Sequence, residues 1–157
     1  MAAGRVKVNI DAGLLGEIGI GIGVVARDSE GRILWCASIK RGEKLEPRLA
    51  EARAILVGMK LAAARGHDLV EFENDSECVV NAINKKVPGV SSFHLILDDI
   101  MEAAQLFSFC SWSWVQREGN KVAHELAHAP PFALGCKLWS DNFPDFLCNL
   151  LDSDCAA

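Results

Sequence analysis

In an expected strand at 18–27, Ile18, Ile20, Ile22 and Val24 at one phase alternate with Gly19, Gly21 and Gly23 at the other. A period of two is the strand period, so one face of this segment is apolar and the other is bare at its glycines. A strand stripped on one side lets a neighbouring backbone come unusually close. The glycines are not a dinucleotide-binding fingerprint, because no helix follows them. Asp28-Ser29-Glu30-Gly31 instead reads as a hairpin turn into another strand at 32–40. A further alternating strand, 5–12, precedes, so three antiparallel strands in a row are expected.

The second half changes rhythm. A long helix is expected at about 46–65, with Pro47 near its first turn and Gly66 just past its end. A strand at 68–74 follows, then a short helix from Ser76 to about Lys85, for which Ser76 suits the N-cap position. After a connector at 87–92 come a helix at 93–106, a strand at 107–115 and a last helix at 118–129, stopped by Pro130-Pro131. Residues 5–130 are read as one domain. Residues 131–157 are read as an irregular tail, which Trp139, Phe143, Phe146, Leu147, Leu150 and Leu151 suggest is docked on it.

At 157 residues, with half of them apolar, the chain can bury a real core. No apolar run is long enough to span a membrane, and the first residues do not form a signal peptide. The six cysteines contain no CxxC pair, so reduced thiols in an intracellular protein (nuclear or cytoplasmic, not secreted) are expected, buried at Cys78 and Cys110. The net charge of −5 argues against tight, general affinity for nucleic acid. An active site that brings its own cations could tolerate it.

Three acids stand out by position. Asp11 ends the first strand, Asp75 ends the strand at 68–74, and Glu51 shares a helix face with Ala54, Ile55, Gly58 and Ala62 while Lys60 points away. A carboxylate facing a sheet is costly unless partnered. Acids from strand ends and an apolar helix face, converging in one crevice, repel one another unless cations lie between them. Oxygen ligands of this kind suit Mg²⁺ or Mn²⁺. Each acid taken singly could equally be an ordinary solvated one.

The order of elements and the stretches KVNIDAG, GIGIGVVARDSEGRIL, LAEARAILVGMKLA, VEFENDSECVVNAIN and WVQREGNKVAHELAH together resemble ribonuclease H, in the plant reverse-transcriptase-like and retroelement branch. The tail W…FPDFLCNLLDSD is also similar to the tails of such plant proteins. The resemblance implies an α/β fold: a five-stranded mixed sheet, three antiparallel strands then two parallel ones, flanked by helices. It also implies metal-dependent hydrolysis of the RNA strand of RNA–DNA hybrids, with two cations roughly 4 Å apart clamping the scissile phosphate. The expected partner is the RNA–DNA hybrid, and the domain is expected to be monomeric or part of a larger polyprotein.

By the same resemblance, the family's first three metal-binding acids map to Asp11, Glu51 and Asp75. The fourth falls on His124 in Asn120-Lys121-Val122-Ala123-His124-Glu125-Leu126-Ala127, a departure familiar in the plant branch. The mobile histidine that many members carry before the last helix is absent from Gln116-Arg117-Glu118-Gly119-Asn120, whose Arg-Glu-x-Asn form resembles an archaeal-type subgroup. An imidazole at position 124 supplies no negative charge and suits Mn²⁺ better than Mg²⁺. Gly13, Ser76 and Asn120 are candidate contacts to the substrate backbone. They serve equally well as a turn, a helix cap and a helix start.

Two other classes fit parts of the chain. His124-Glu125-Leu126-Ala127-His128 satisfies the HExxH zinc-peptidase pattern, in which two imidazoles one turn apart hold the metal. The third histidine of the extended motif is missing, only Asp141 or Asp145 remains as a third ligand, and the pattern leaves the three acids unexplained. His128 is more simply a polar residue at a helix end. The second alternative keeps the fold and drops catalysis, leaving a module that binds nucleic acid or protein. Trp112 and Trp114 could stack on bases, although their shared strand phase favours core packing, and Lys85-Lys86 is a basic spot beside the crevice.

Overall fold

The computed structural model describes residues 4–143 and 145–148. Its centre is a mixed sheet built from β1 (Val6–Leu14), β2 (Ile20–Arg27), β3 (Ile33–Arg41), β4 (Leu69–Asn74), β5 (Phe109–Trp114) and β6 (Gly135–Trp139). The strand order is β5-β4-β1-β2-β3-β6. β1, β2, β3 and β6 run antiparallel in turn, while β4 and β5 run parallel to β1. The helices are α1 (Pro47–Ala64), α2 (Glu77–Lys85), α3 (Ser92–Ala103) and α4 (Lys121–His128).

The two faces of the sheet are built differently. Val8, Ile10, Ile20, Ile22, Val24, Trp35 and Phe72 project to one side and interlock with Ala54, Ile55 and Met59 of α1 and Ile96 and Ile100 of α3. This is the main core, and burying one such aliphatic side chain contributes roughly 1.5–3 kcal/mol. On the other side a smaller cluster of Val25, Cys36, Val122, Ala123, Leu126 and Leu147 holds α4.

The approach that the glycines permit is made by α4. A Cβ on Gly23 would stand 1.8 Å from the Ala123 carbonyl oxygen, and one on Gly21 would stand 1.9 Å from that of Ala127. No side chain fits there, so α4 rests on the bare backbone of β2. Gly21 and Gly23 are needed for this approach rather than for any unusual dihedral angle.

Several expectations need correcting. The sheet has six strands, not five, because Gly135–Trp139 pairs with β3 from Cys36↔Trp139 to Lys40↔Gly135. The stretch beginning at 132 is therefore not uniformly irregular, and residues 145–148 are helical. Leu150, Leu151 and Cys155 lie outside the described residues. Asp11 is not the end of its strand, since β1 continues to Leu14 against β2. Cys78 is exposed and Cys110 half-buried, whereas Cys36 is the buried thiol, its pKa pushed up to about 12 by burial. Trp112 packs against the main core, but Trp114 is 45 % exposed and its indole N–H donates to the Asp75 carbonyl. Trp114 sits on the last residue of β5, where the helix layer no longer covers the sheet. Among the described residues no helix is long and apolar enough to cross a membrane.

Candidate metal centre

The β1–β2 ladder runs on to Leu14, but the β1–β4 ladder stops at Asn9↔Glu73. Asp11 therefore lies two residues beyond the last β1–β4 pair, where the strands part, and Asp75 follows the last residue of β4. Where these strands separate, the Ile10 carbonyl is taken up by two side-chain amides. Asn74 Nδ2 donates to it at 2.9 Å and Asn120 Nδ2 at 3.0 Å. Asn9 Nδ2 donates in turn to Asn120 Oδ1 at 3.1 Å and to Glu73 Oε1 at 3.0 Å. Asn9, Asn74 and Asn120 are all buried, so these bonds act in a poorly solvated environment. They fix the start of α4 to β1.

Glu51 enters from the second turn of α1. Its Oε1 accepts the Ala12 amide at 3.1 Å and Asn74 Nδ2 at 3.2 Å. One ligand oxygen each from Asp11, Glu51 and Asp75 then lies within 4.8 Å of the other two. Three chain segments that are distant in sequence thus converge on a volume the size of one or two cations.

α4 completes the wall through a simple correspondence of rungs. Asp11 is opposite Gly23, above which lies Ala123, so the next residue, His124, stands over Asp11. His124 Nδ1 lies 2.9 Å from Asp11 Oδ2. Two residues along, Gly13 is opposite Gly21, above which lies Ala127, and His128 stands over Gly13. A Cβ on Gly13 would come within 2.7 Å of the His128 ring. His128 Nδ1 is 2.9 Å from the His124 carbonyl oxygen, an acceptor, so Nδ1 is the donor of that bond. The two rings lie 4.3 Å apart, centroid to centroid.

The electrostatics follow from crowding. Burial raises the Asp11 pKa to about 6, with the Asp75 charge adding to the effect and His124 opposing it. Burial raises Glu51 to about 8, helped by the charge on Asp11 and opposed by the bond from Asn74. Acids held above their ordinary range by burial and mutual repulsion are relieved by a cation. All three offer hard oxygen donors, so the residues fit a divalent metal ion.

A cavity of about 380 Å³ opens over these groups, lined by Asp11, Gly13, Glu51, Asp75, Ser76, Arg117, His124 and His128 among others. Gly13 and Ser76 therefore face the open space. Ser76 begins α2 without a side-chain capping bond, and its amide donates instead to Asn74 Oδ1 at 2.7 Å. Asn120 is 1 % exposed, and its amide group is committed to Ile10 and Asn9, so it holds α4 in place and does not reach the cavity. His124 touches one acid, Asp11, and lies outside the compact group of three. Among the described residues His124 and His128 gather no third ligand from Asp141 or Asp145, which removes the basis of the zinc-peptidase pattern.

Two polar residues of the cavity, His128 and Arg117, were not selected from the sequence as residues of this site. His128 lines the cavity instead of merely ending a helix, and the signal available was its spacing of four from His124. Arg117 lines it too, with Nε 3.9 Å from Asp75 Oδ2. It lies in the stretch where the sequence showed only a missing histidine.

Comparisons with known proteins bear on the family and the fold. The model of a family described as reverse transcriptase-like matches residues 9–129. No curated protein matches the chain. Among solved structures it is similar to RNase H1 from the halophilic archaeon Halobacterium salinarum, at 24 % identity and a TM-score of 0.72, covering 79 % of this chain and 95 % of that one. It is also similar to LC11-RNase H1 in complex with an RNA/DNA hybrid, at 25 % identity and a TM-score of 0.69, covering 78 % and 94 % of the two chains. A third likeness is to the foamy viral protease–reverse transcriptase, at 19 % identity and a TM-score of 0.61, covering 79 % of this chain and 19 % of that one.

Proposed function

The chain belongs to the reverse transcriptase-like family, and on that premise we propose that it is a metal-dependent endoribonuclease acting on RNA paired with DNA. The observation that carries this reading is the meeting of Asp11, Glu51 and Asp75 within 4.8 Å under an open cavity. The likeness to a ribonuclease H1 bound to an RNA/DNA hybrid supports the substrate class.

Asp11, Glu51 and Asp75 would hold Mg²⁺ or Mn²⁺, with His124 as a nitrogen donor at the fourth position. When bound, such ions polarise a phosphoryl oxygen and lower the pKa of a water nucleophile. This chain's own residues supply the rest. Buried acids keep the cations' charge from being dissipated in solvent, and Asn74 and the Ala12 amide orient the Glu51 carboxylate. Gly13 and Ser76 offer surface on which a sugar–phosphate backbone would lie, since hybrids are read through backbone and sugar hydroxyls rather than base edges. Arg117, beside Asp75 at the rim, adds a positive group for a phosphate.

The test is incubation of an RNA–DNA hybrid, labelled on the RNA strand, with Mg²⁺ and with Mn²⁺ separately. Internal cleavage of RNA, stronger with Mn²⁺ and absent in Asp11→Asn, is the expected result. Binding of the hybrid without cleavage in either metal would leave a non-catalytic module instead. That second reading draws on one observation: of the three acids His124 meets only Asp11, and it contributes no negative charge.

A further inference from the structure

Lys40 is the buried cation that the candidate metal centre does not use. It is 3 % exposed, and among the described residues it has no acidic partner. Its Nζ donates one bond, at 2.5 Å, to Ser38 Oγ, whose own hydroxyl donates to the Leu126 carbonyl oxygen at 2.6 Å. A lysine ammonium has three donors, so Ser38 satisfies one of them. The end of α4 offers a partial negative charge nearby, which offsets part of the cost of burial but is not a counter-ion. Desolvation accordingly pushes the Lys40 pKa below its ordinary value.

Ammonium groups are rarely buried in this way without a counter-ion. Lys40 lines a cavity of about 250 Å³ together with Ser38, Pro131, Leu134, Gly135 and Lys137. The register explains the opening. Lys40 lies between Gly21 of β2 and Gly135 of β6, and Lys137 pairs with Ser38. Alternation along the strands puts Ser38, Lys40 and Lys137 on the same face. Gly135 leaves the space beside Lys40 empty, as a Cβ there would meet nothing within 4 Å. The walls from Pro131 and Leu134 are apolar and open to solvent, so a few polar groups stand in a recess that a small ligand can enter.

We infer that this recess, on the far side of α4 from the acids, binds a phosphate-type anion through Lys40 and Lys137, with Ser38 holding the Lys40 ammonium in place. The anion is either free or a backbone phosphate of a nucleic-acid strand lying across β6. The chemistry is the same in both cases: two ammonium groups donate to tetrahedral anionic oxygens. The acids of the metal centre cannot bind an anion without their cations, so in metal-free buffer the two sites are separable.

The test uses the full chain in EDTA, with amide chemical shifts followed by NMR during titration at constant ionic strength. Inorganic phosphate is one arm and a short RNA–DNA hybrid the other. Saturable shifts centred on residues 38–40 and 135–137 with phosphate identify a free-anion site. The same shifts with the hybrid but not with phosphate identify the backbone as the source. Lys40→Met should weaken either by roughly tenfold or more, the effect of losing one charge-assisted bond, and Lys137→Gln by severalfold. Lys137 is at the exposed edge, so its substitution tests the site even if Lys40→Met fails to fold. No shift in these residues with either ligand, or affinity unchanged in both variants, overturns the inference.

Discussion

One strand, β2, shows two ways of using a sheet. Its Ile20, Ile22 and Val24 face is packed against side chains of α1, and its Gly21 and Gly23 face is pressed directly against α4. The first face contributes stability through area removed from water, and neighbouring side chains can adjust when one is shortened. The second removes almost no apolar side-chain area at the glycines, yet sets α4 to within a fraction of an ångström. Backbone meeting backbone leaves no rotamers to absorb an error. Stability and placement are thus separated on opposite sides of one strand, and the chemistry sits with placement.

Substitutions on the two faces sharpen this contrast. Ile22→Ala should cost the most stability, about 2–5 kcal/mol by denaturant unfolding, while leaving metal affinity of the folded protein nearly unchanged. Weakened metal binding in that variant would show that the faces are coupled. Gly23→Ala should cost less, about 1–3 kcal/mol, because its methyl group would force α4 off the sheet. It should nevertheless disturb His124 and Asp11 far more, seen as loss of their mutual NMR contacts. Tolerance of Gly23→Ala with that contact intact would break the contrast.

The acids give a pH signature that the apolar face lacks. Folding raises Asp11 from 3.8 to about 6 and Glu51 from 4.5 to about 8, so the folded state holds these protons more tightly than the unfolded state. Their contribution to stability is therefore fully present below about pH 4 and is lost as pH rises to about 8. In metal-free buffer the melting temperature of the parent should fall relative to Asp11→Asn across that window. Asp11→Asn should be the more stable of the two near pH 8. Saturating Mg²⁺ or Mn²⁺ should remove the parent's loss, with release of protons on binding. A variant that melts lower than the parent at pH 8 without metal would give Asp11 a structural role.

His124→Asp should have the smallest effect on stability, a slight loss without metal, because a carboxylate would replace the imidazole beside Asp11. Its Mg²⁺ affinity, read by calorimetry, should rise, and the preference for Mn²⁺ should narrow. Unchanged affinity for both ions would place His124 outside the ligand set.

The sequence by itself determined the bare face of β2, the order of the first three strands and the long helix, and the selection of Asp11, Glu51 and Asp75. Each of these rests on periodicity, turn chemistry or residue type, which act over a few residues and can be read in place. Tertiary structure decided what the bare face receives. It set His124 over Asp11 and His128 over Gly13, because each lies above a rung whose partner is more than a hundred residues away. It also turned Asn120 inward, left Trp114 uncovered at the end of β5, and buried Lys40 beside a sixth strand. Gly135–Trp139 alternates too weakly to announce itself as that strand. An edge strand is defined by the hydrogen bonds its neighbour still offers, and which edge of β3 is open is a property of the assembled sheet.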